Sequence, residues 1–318
     1  MSRKALIVGI DYYDSGSNLY GCVNDAHRVN SSLARNSDGT VNFSVELLTA
    51  TAQDSMVTKK ELKDQVRELF STKEEVSIFY YSGHGFIDDL GGYLVTSDAG
   101  EGDDGLSLNE LIAIANKSPA ENRIIVLDSC HSGIAGNPKP DDTTTSIGVG
   151  VTILTASSQS QYAMEENDEG VFTSLFVDAL NGSAANLVGD ISPASIYAHI
   201  DQSLGPWVQR PVFKTSITSF VSLKKVQPPI SLENLHKLTE FFDEIGKEFQ
   251  LDPSFEPESD NPNEENCNIF AILQKMVAVN LVKPVDRDHM YFAAMDSKSC
   301  KLTVLGEHYW KLVDSEMI

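Results

Sequence analysis

The sequence predicts an α/β fold, a mostly parallel six-stranded sheet flanked by helices, followed by a small α+β domain. The first observation is an alternation of short runs rich in valine and isoleucine with helical segments, from residue 4 to about residue 225. Such alternation is typical of strands that helices cover on both faces of a sheet. The second is the dipeptide Pro228-Pro229, after which the pattern changes. We therefore predict two domains, residues 1–226 and residues 231–318.

The elements of the first domain follow from apolar spacing and from capping residues. Thr58 and Ser192 are suited to N-cap positions, and Pro193 is suited to the first position of a helix. The predicted strands are residues 5–10, 44–48, 76–81, 123–128, 151–155 and 216–223. The predicted helices are residues 24–34, 58–70, 108–115, 172–180 and 193–204.

The second domain shows longer helical segments and one short hairpin. An apolar stripe at helical spacing runs through residues 231–250, from Leu232 to Phe249. The further predicted elements are an acidic, proline-containing loop at 252–265, a helix at 269–279, a hairpin strand at 290–295 and a final helix at 303–313. This order is similar to that of a winged-helix module.

The charge of the chain excludes several classes of partner. The 318 residues include 24 Lys and Arg against 46 Asp and Glu, a formal net charge of −22. This balance argues against binding to a nucleic-acid backbone or to an anionic membrane. Residues 231–318 alone hold 8 Lys and Arg against 17 Asp and Glu. A winged helix of that charge is a poor match for DNA, so we expect a regulatory domain that contacts a protein partner or activator.

Cysteine usage and apolar runs indicate a reducing, non-membrane environment. The four cysteines are widely separated, without the spacing of a disulfide framework or of a zinc site. The longest apolar runs have the length of core strands, far below the roughly 20 residues of a membrane helix. The first residues show no signal-peptide pattern. We expect a cytoplasmic protein.

Reactive side chains follow two of the predicted strands at the point where each strand ends. One strand ends in Ser82-Gly83-His84-Gly85, and the next ends in Asp128-Ser129-Cys130-His131. The carboxyl ends of parallel strands are where such sheets place their active sites. A thiol beside an imidazole, with backbone N–H groups near them, is the minimal set for covalent acyl chemistry. Zinc binding by these residues is a weaker alternative, because no fourth ligand is evident.

The combined pattern resembles the caspase-like cysteine peptidases of clan CD, family C14, and within them the metacaspases and orthocaspases. His84 precedes Cys130 by 46 residues, close to the spacing of caspases. Further marks of the resemblance are Gly9-Ile10 with Tyr13, the run 19–26, Thr155-Ala156-Ser157-Ser158 and Gly170-Val171-Phe172-Thr173. The resemblance covers residues 5 to about 223 and implies a caspase-like sheet.

The resemblance implies a role for each site residue. His84 and Cys130 would form the catalytic dyad, and the backbone N–H groups of Gly85 and Cys130 would hold the oxyanion. Asp25 and Asp128 would line the specificity pocket, where two carboxylates favour Arg or Lys before the cleaved bond. The residues Cys22 and Ser82 match further positions of the same pocket. A simpler alternative for Asp25 is a helix cap.

The sequence does not decide whether the chain binds calcium or whether it must be cleaved internally to become active. Many metacaspases need Ca²⁺, and hard oxygen ligands are available after His84. The acidic candidates are Asp88, Asp89, Asp98, Glu101, Asp103 and Asp104. The same residues could form a solvated acidic loop. Between Cys130 and the fifth strand, the segment 134–147 has one basic residue, Lys139, and it precedes a proline. This segment is therefore a poor site for activating cleavage after a basic residue, and we expect the intact chain to be active.

Two functional classes are therefore compatible with the sequence. The first is a cysteine endopeptidase that cleaves protein substrates after Arg or Lys, under the control of its C-terminal domain. The second is an adaptor or scaffold that has a caspase-like fold and acts through protein contacts. The presence of both dyad residues and both pocket acids favours the enzyme.

Overall fold

A computed structural model of the chain describes residues 2–100, 105–130, 132–137, 146–156, 165–166, 169–204 and 210–318. The chain divides into two compact units. The first comprises residues 1–185 and 190–226, and the second comprises residues 186–189 and 227–318. Within the described ranges, no helix is long and apolar enough to cross a membrane.

A six-stranded sheet forms the centre of the first unit. Its strands are β1 Arg3–Ile10, β2 Ser44–Ala50, β3 Val76–Ser82, β4 Asn122–Asp128, β5 Val151–Thr155 and β6 Val212–Ser216. They lie in the order β6-β5-β4-β3-β1-β2. The first five are parallel, and β6 pairs antiparallel with β5. The fold class predicted from the sequence, a mostly parallel six-stranded sheet flanked by helices, is confirmed.

Helices cover both faces of this sheet because successive strand residues point to opposite sides. The helices are α1 Cys22–Leu33, α2 Lys59–Leu69, α3 Leu108–Lys117, α4 Val171–Asp178 and α5 Pro193–Ser203. On β3, Ile78 and Tyr80 belong to the core under α1, α4 and α5, whereas Phe79 and Tyr81 belong to the core under α2 and α3. The predicted N-cap roles of Thr58 and Ser192 are confirmed.

Short strands lie outside the central sheet. Three of them, Gly85–Asp88, Gly91–Leu94 and Leu106–Ser107, form an antiparallel sheet directly after β3. Two further pairs among the described residues of the first unit are Glu165–Glu166 with Glu169–Gly170 and Asp190–Ile191 with Lys224–Lys225. The sequence reading missed these strands, because each is only two to four residues long and carries too little periodicity.

The predicted last strand at 216–223 is wrong. The strand is β6, which ends where the prediction begins. Two apolar residues of the predicted strand, Ile217 and Phe220, are exposed. The apolar pattern of β6 is interrupted at its centre by Lys214, so apolar spacing favoured the wrong segment.

The second unit combines four helices with a three-stranded antiparallel sheet. Its elements are α6 Leu232–Phe241, β7 Glu248–Gln250, α7 Glu264–Ala278, β8 Val282–Pro284, α8 Met290–Met295, β9 Ser299–Leu302 and α9 Val304–Asp314. The strand order is β7-β9-β8. Its own apolar core includes Leu235, Phe242, Phe270, Leu273 and Met276.

Two predictions for this unit are corrected. The helix expected over 231–250 ends at Phe241, and β7 follows a turn in which Gly246 has a φ of 87°. The expected hairpin strand at 290–295 is the helix α8. Its buried residues Met290, Ala293 and Ala294 have helical spacing. The predicted hairpin strand at 290–295 is therefore wrong, and the antiparallel strands β8 and β9 are instead joined through α8.

Candidate active site

The site lies where β3 and β4 end beside each other. Ser82 and Asp128 are register partners in the parallel pair, and the Gly83 amide donates to the Asp128 carbonyl at 3.3 Å. The residues after each strand therefore leave the sheet at the same edge. The structure brings the His84 loop and the half-buried Cys130 together there, as the sequence predicts.

Gly85 and Cys130 are in direct backbone contact. A Cβ atom at Gly85 would overlap the carbonyl oxygen of Cys130 and would lie 3.2 Å from the Ser129 hydroxyl. Glycine is therefore required at this position by the close approach of two chains. These are the two residues whose N–H groups the sequence assigns to the oxyanion.

Two buried phenols hold the backbone of His84. The Tyr13 hydroxyl accepts the His84 N–H at 2.8 Å, and the Tyr81 hydroxyl donates to the His84 carbonyl at 2.9 Å. Gly83 leaves room for both, because a Cβ there would lie 2.6 and 2.7 Å from the two hydroxyls. Burial raises the pKa of Tyr13 and of Tyr81 well above the usual range, so both stay protonated.

The imidazole of His84 has a defined tautomer when it is neutral. Its Nε2 atom lies 2.7 Å from the carbonyl oxygen of Ser17. A carbonyl oxygen only accepts hydrogen bonds, so Nε2 carries the proton and the lone pair is on Nδ1. The Tyr13 ring packs against the imidazole with 4.7 Å between centroids, which limits its rotation. Nδ1 is therefore the atom available to exchange a proton with a thiol.

The two carboxylates predicted to line a specificity pocket approach the same glycine from different elements. Asp25 lies in the first turn of α1, Asp128 ends β4, and both are buried. A Cβ at Gly170 would lie 2.8 Å from Asp25 Oδ2 and 2.6 Å from Asp128 Oδ2. Cys22 and Ser82, also assigned to this pocket, are buried on α1 and β3. The structure thus brings the acids together around Gly170.

A chain of hydroxyl groups orients Asp128. Thr173 Oγ1 donates to Asp128 Oδ2 at 2.6 Å, and Tyr80 lies 2.5 Å from the same hydroxyl. Since the Thr173 proton goes to the carboxylate, Tyr80 donates to Thr173. Burial raises the pKa of Tyr80 well above its usual value, and the negative charges of Asp128 and Asp25 add to this shift. Tyr80 therefore remains a donor.

Asp25 is not the cap of α1. Asp11 takes that role, because its Oδ1 accepts the N–H groups of Cys22 and Val23 at 2.9 and 3.3 Å. Asp25 instead accepts the Gly170 N–H at 3.1 Å and faces the Arg28 guanidinium at 3.6 Å. The helix-cap alternative for Asp25 is therefore wrong, and the carboxylate joins α1 to the Gly170 backbone.

Of the three acidic calcium candidates that the structure describes, Asp88 and Asp98 have local structural roles and Asp89 is exposed. Asp88 Oδ1 accepts the amides of Leu90 and Gly91 in a turn. Asp98 Oδ1 accepts the Lys59 amide and the Thr96 hydroxyl. Among the residues that the structure describes, no group of three or more His, Cys, Asp or Glu side chains could hold a metal. The other acids, at 101, 103 and 104, as well as His131 and Lys139, lie outside the described residues.

A model of the caspase domain, peptidase family C14, matches residues 2–237. The chain belongs to the caspase-domain family. It is 29% identical over 214 residues to Metacaspase-1 of Mycosarcoma maydis, which covers 58% of this chain and 51% of that protein. Metacaspase-1 of Schizosaccharomyces pombe is 33% identical over 149 residues, 41% of this chain and 34% of that one.

Other relatives agree with this assignment. Metacaspase-6 of Arabidopsis thaliana is 32% identical over 149 residues, covering 42% of this chain and 39% of the relative. This caspase-domain chain thus spans about a third to a half of the length of these metacaspases. A crystal structure of a Geobacter sulfurreducens protein matches 72% of the chain and 98% of that protein, with a TM-score of 0.52 and 18% identity, which shows a shared fold.

Sequence reasoning missed the residues that hold the site together. Tyr13, Gly170 and Thr173 stand within segments that carry the family resemblance, yet none received a role. Tyr81 likewise has no predicted role in holding His84. The partners of Tyr13, Gly170 and Thr173 come from distant segments, and a side-chain contact such as that of Tyr81 with the His84 carbonyl leaves no signal in apolar periodicity.

Gly85→Ala should disrupt the site and destabilise the first unit. The added Cβ forces the His84 loop away from Cys130, which should cost about 1–3 kcal/mol of stability and about 100-fold in peptide hydrolysis. Thermal unfolding and hydrolysis assays measure the two effects. Gly100→Ala is the matched control, because a Cβ there meets no atom within 4 Å. Equal behaviour of the two variants would contradict the contact.

Proposed function

We propose that the chain is a cysteine endopeptidase that cleaves protein substrates after Arg or Lys, with His84 and Cys130 as its dyad. The observation that carries the proposal is the meeting of three features at one sheet edge. These are the contact between Gly85 and Cys130, the oriented imidazole, and two buried carboxylates around Gly170. Family membership and similarity to metacaspases support the reaction class.

The reaction follows from the groups present. The Cys130 thiol transfers its proton to Nδ1 of His84, and the thiolate attacks the carbonyl carbon of the scissile bond. Backbone N–H groups of Gly85 and Cys130 stabilise the oxyanion that forms. The imidazolium then protonates the leaving amine, which leaves a thioester. Water, deprotonated by the imidazole, hydrolyses this thioester and restores the free thiol.

Specificity for a basic side chain follows from the pocket acids. Asp25 and Asp128 place negative charge in a low-dielectric, largely buried setting, where a guanidinium or ammonium is favoured and a carboxylate is repelled. Thr173 and Gly170 each bind one oxygen of an acid, which fixes both carboxylates before substrate arrives. Pre-organisation of this kind lowers the cost of binding.

The dyad is tested by Cys130→Ala and His84→Ala. Cys130→Ala should abolish hydrolysis of Arg peptides, because no other group in the proposed mechanism attacks the carbonyl. His84→Ala should lower kcat about 10²–10⁴-fold, the usual contribution of acid–base catalysis. Steady-state kinetics and labelling with a basic peptide fluoromethylketone give the readouts. Near-normal turnover in either variant would refute the mechanism, and a wild-type chain that resists labelling would favour the scaffold alternative.

The pocket is tested by Asp128→Asn and Asp25→Asn. Each change removes a charge at constant shape, so kcat/KM for Arg and Lys peptides should fall about 10–100-fold. The control is Asp64→Asn, an exposed acid of α2 that pairs with Lys60. Peptides with Asp before the scissile bond should not be cut by the wild-type chain. Efficient cleavage of such peptides would overturn the pocket assignment.

We propose that the second unit binds a protein partner that controls the peptidase. A groove between α6 and α7 has a volume of about 620 Å³ and an apolar floor of Phe241, Ile269 and Ile272. Its rim includes Glu240, Glu264 and Glu265, and the unit has an excess of acidic residues. A basic segment with apolar side chains is the complementary partner.

A chain that ends at Gln227 tests the role of the second unit. The first unit has its own cores, so the truncated chain should stay folded and cut basic peptides with altered activity. Leu187 and Val188 pack in the core of the second unit and should be changed to Ser in the truncated chain to keep it soluble. The full-length double Ser variant is the control. Unfolding of the truncated chain, or activity identical to that of the full-length control, would contradict a separate regulatory unit.

A further inference from the structure

Lys214 lies at the centre of the edge strand β6 and binds a segment far from it in sequence. Its Nζ atom donates to Gly133 O, Ala135 O and Asn137 Oδ1, each at 2.8 Å. The register places Lys214 opposite Ile153 of β5. Its strand neighbour Phe213 packs against the other core, so Lys214 points to the α2 and α3 side of the sheet.

The three acceptors belong to the segment that follows Cys130, residues 132–137. This 132–137 segment begins with a single 3₁₀ turn, Ser132–Ile134, and residues 132–136 are buried. Other groups of the segment are satisfied locally: the Ala135 amide donates to Ser132 O, the Asn137 amide to Ile134 O, and the Ser132 hydroxyl to Ser129 O. The Gly133 and Ala135 carbonyls receive their hydrogen bonds from Lys214.

We propose that Lys214 is a positioning residue for the nucleophile, whose ammonium clamps the 132–137 segment and thereby holds Cys130 against Gly85. The proposal rests on the proposed function for its effect on rate, although the clamp itself is a structural feature. Carbonyl groups at the end of a helical turn are acceptors without partners in the turn, and a cation is well suited to them.

The energetics favour a charged donor at this position. Burial lowers the pKa of Lys214 to about 8, so the ammonium remains the main form at neutral pH. Three charge-assisted hydrogen bonds offset the cost of burying the cation. An apolar side chain of equal length would remove the donor that the described residues supply to the buried Gly133 and Ala135 carbonyls. A buried carbonyl that loses its donor costs more than the loss of an ordinary hydrogen bond. The segment would then move to reach water.

Loss of the Lys214 ammonium should lower turnover and leave substrate affinity nearly unchanged. The carboxylates that bind the substrate cation are held by Thr173 and Gly170, which Lys214 does not donate to. Displacement of a nucleophile by about an ångström can cost about 100-fold in rate. We therefore expect Lys214→Met to lower kcat about 10–100-fold with KM changed less than about twofold.

The experiment compares wild type, Lys214→Met, Lys214→Arg and the control Lys224→Met in the full chain. Lys224 is a buried lysine of the first unit, whereas Lys214 is half-buried, and the strand of Lys224 pairs outside the central sheet. Amide hydrogen exchange of residues 132–137, followed by mass spectrometry, reports the clamp without any need for catalysis. Hydrolysis of an Arg peptide and the rate at which iodoacetamide alkylates Cys130 report its consequence.

Lys214→Met should accelerate exchange in the 132–137 segment about tenfold or more, lower kcat and change the alkylation rate of Cys130. In Lys214→Arg, the exchange rate, kcat and the alkylation rate should each lie between those of wild type and Lys214→Met, because the guanidinium also donates several hydrogen bonds. Lys224→Met should leave all three readouts unchanged. Should Lys214→Met fail to fold, Lys214→Gln takes its place in the same measurements.

Unchanged exchange in the Lys214 variant would overturn the clamp. Faster exchange with unchanged kcat and unchanged alkylation would overturn its role in positioning Cys130, and equal losses in Lys224→Met would show a general loss of stability instead. A wild-type chain that cuts no basic peptide would refute the proposed function, whereas exchange and alkylation would still decide the role of Lys214.

Discussion

The parallel pairing of β3 with β4 is the constraint on which the rest of the site depends. Ser82 opposite Asp128 sets the register, and that register makes both strands end at the same edge of the sheet. The His84 loop and Cys130 then meet because neither chain can continue in the sheet. Only glycine at position 85 permits the resulting backbone contact. A slip of one residue would turn every side chain of a strand to the opposite face and separate the pair.

Buried polar groups make this arrangement specific as well as stable. Tyr13 and Tyr81 bind the two backbone groups of His84, while Tyr80 and Thr173 orient Asp128. Each hydroxyl is protonated and has a partner, and a buried hydroxyl without one would be costly. Apart from the Tyr81 bond, these hydrogen bonds join segments that are far apart in the sequence, so the geometry of the site is coupled to the integrity of the whole first unit.

Charge is distributed unevenly between the two units and within the site. Two carboxylates converge on Gly170, and the Arg28 guanidinium faces one of them. On the opposite face of the sheet from α1 and α4, the single ammonium of Lys214 binds the segment after the nucleophile. Negative charge is therefore concentrated around Gly170, and a positive charge binds backbone carbonyls of the segment that follows Cys130. Residues 231–318 also have an excess of acidic residues.

The sequence alone predicts the fold class and most of the strands and helices of the first unit, and it singles out the residues that we propose as dyad and pocket acids. Buried parallel strands are continuous apolar runs, and reactive residues at their ends stand out against them. The place of the last strand, the helix at residues 290–295 and the contact of His84 Nε2 with the Ser17 carbonyl come from the tertiary structure alone. So do the three hydrogen bonds that Lys214 donates. These features depend on contacts between distant segments. The periodicity of apolar residues indicates which face of a helix or strand is buried, but it does not indicate which segment packs against that face.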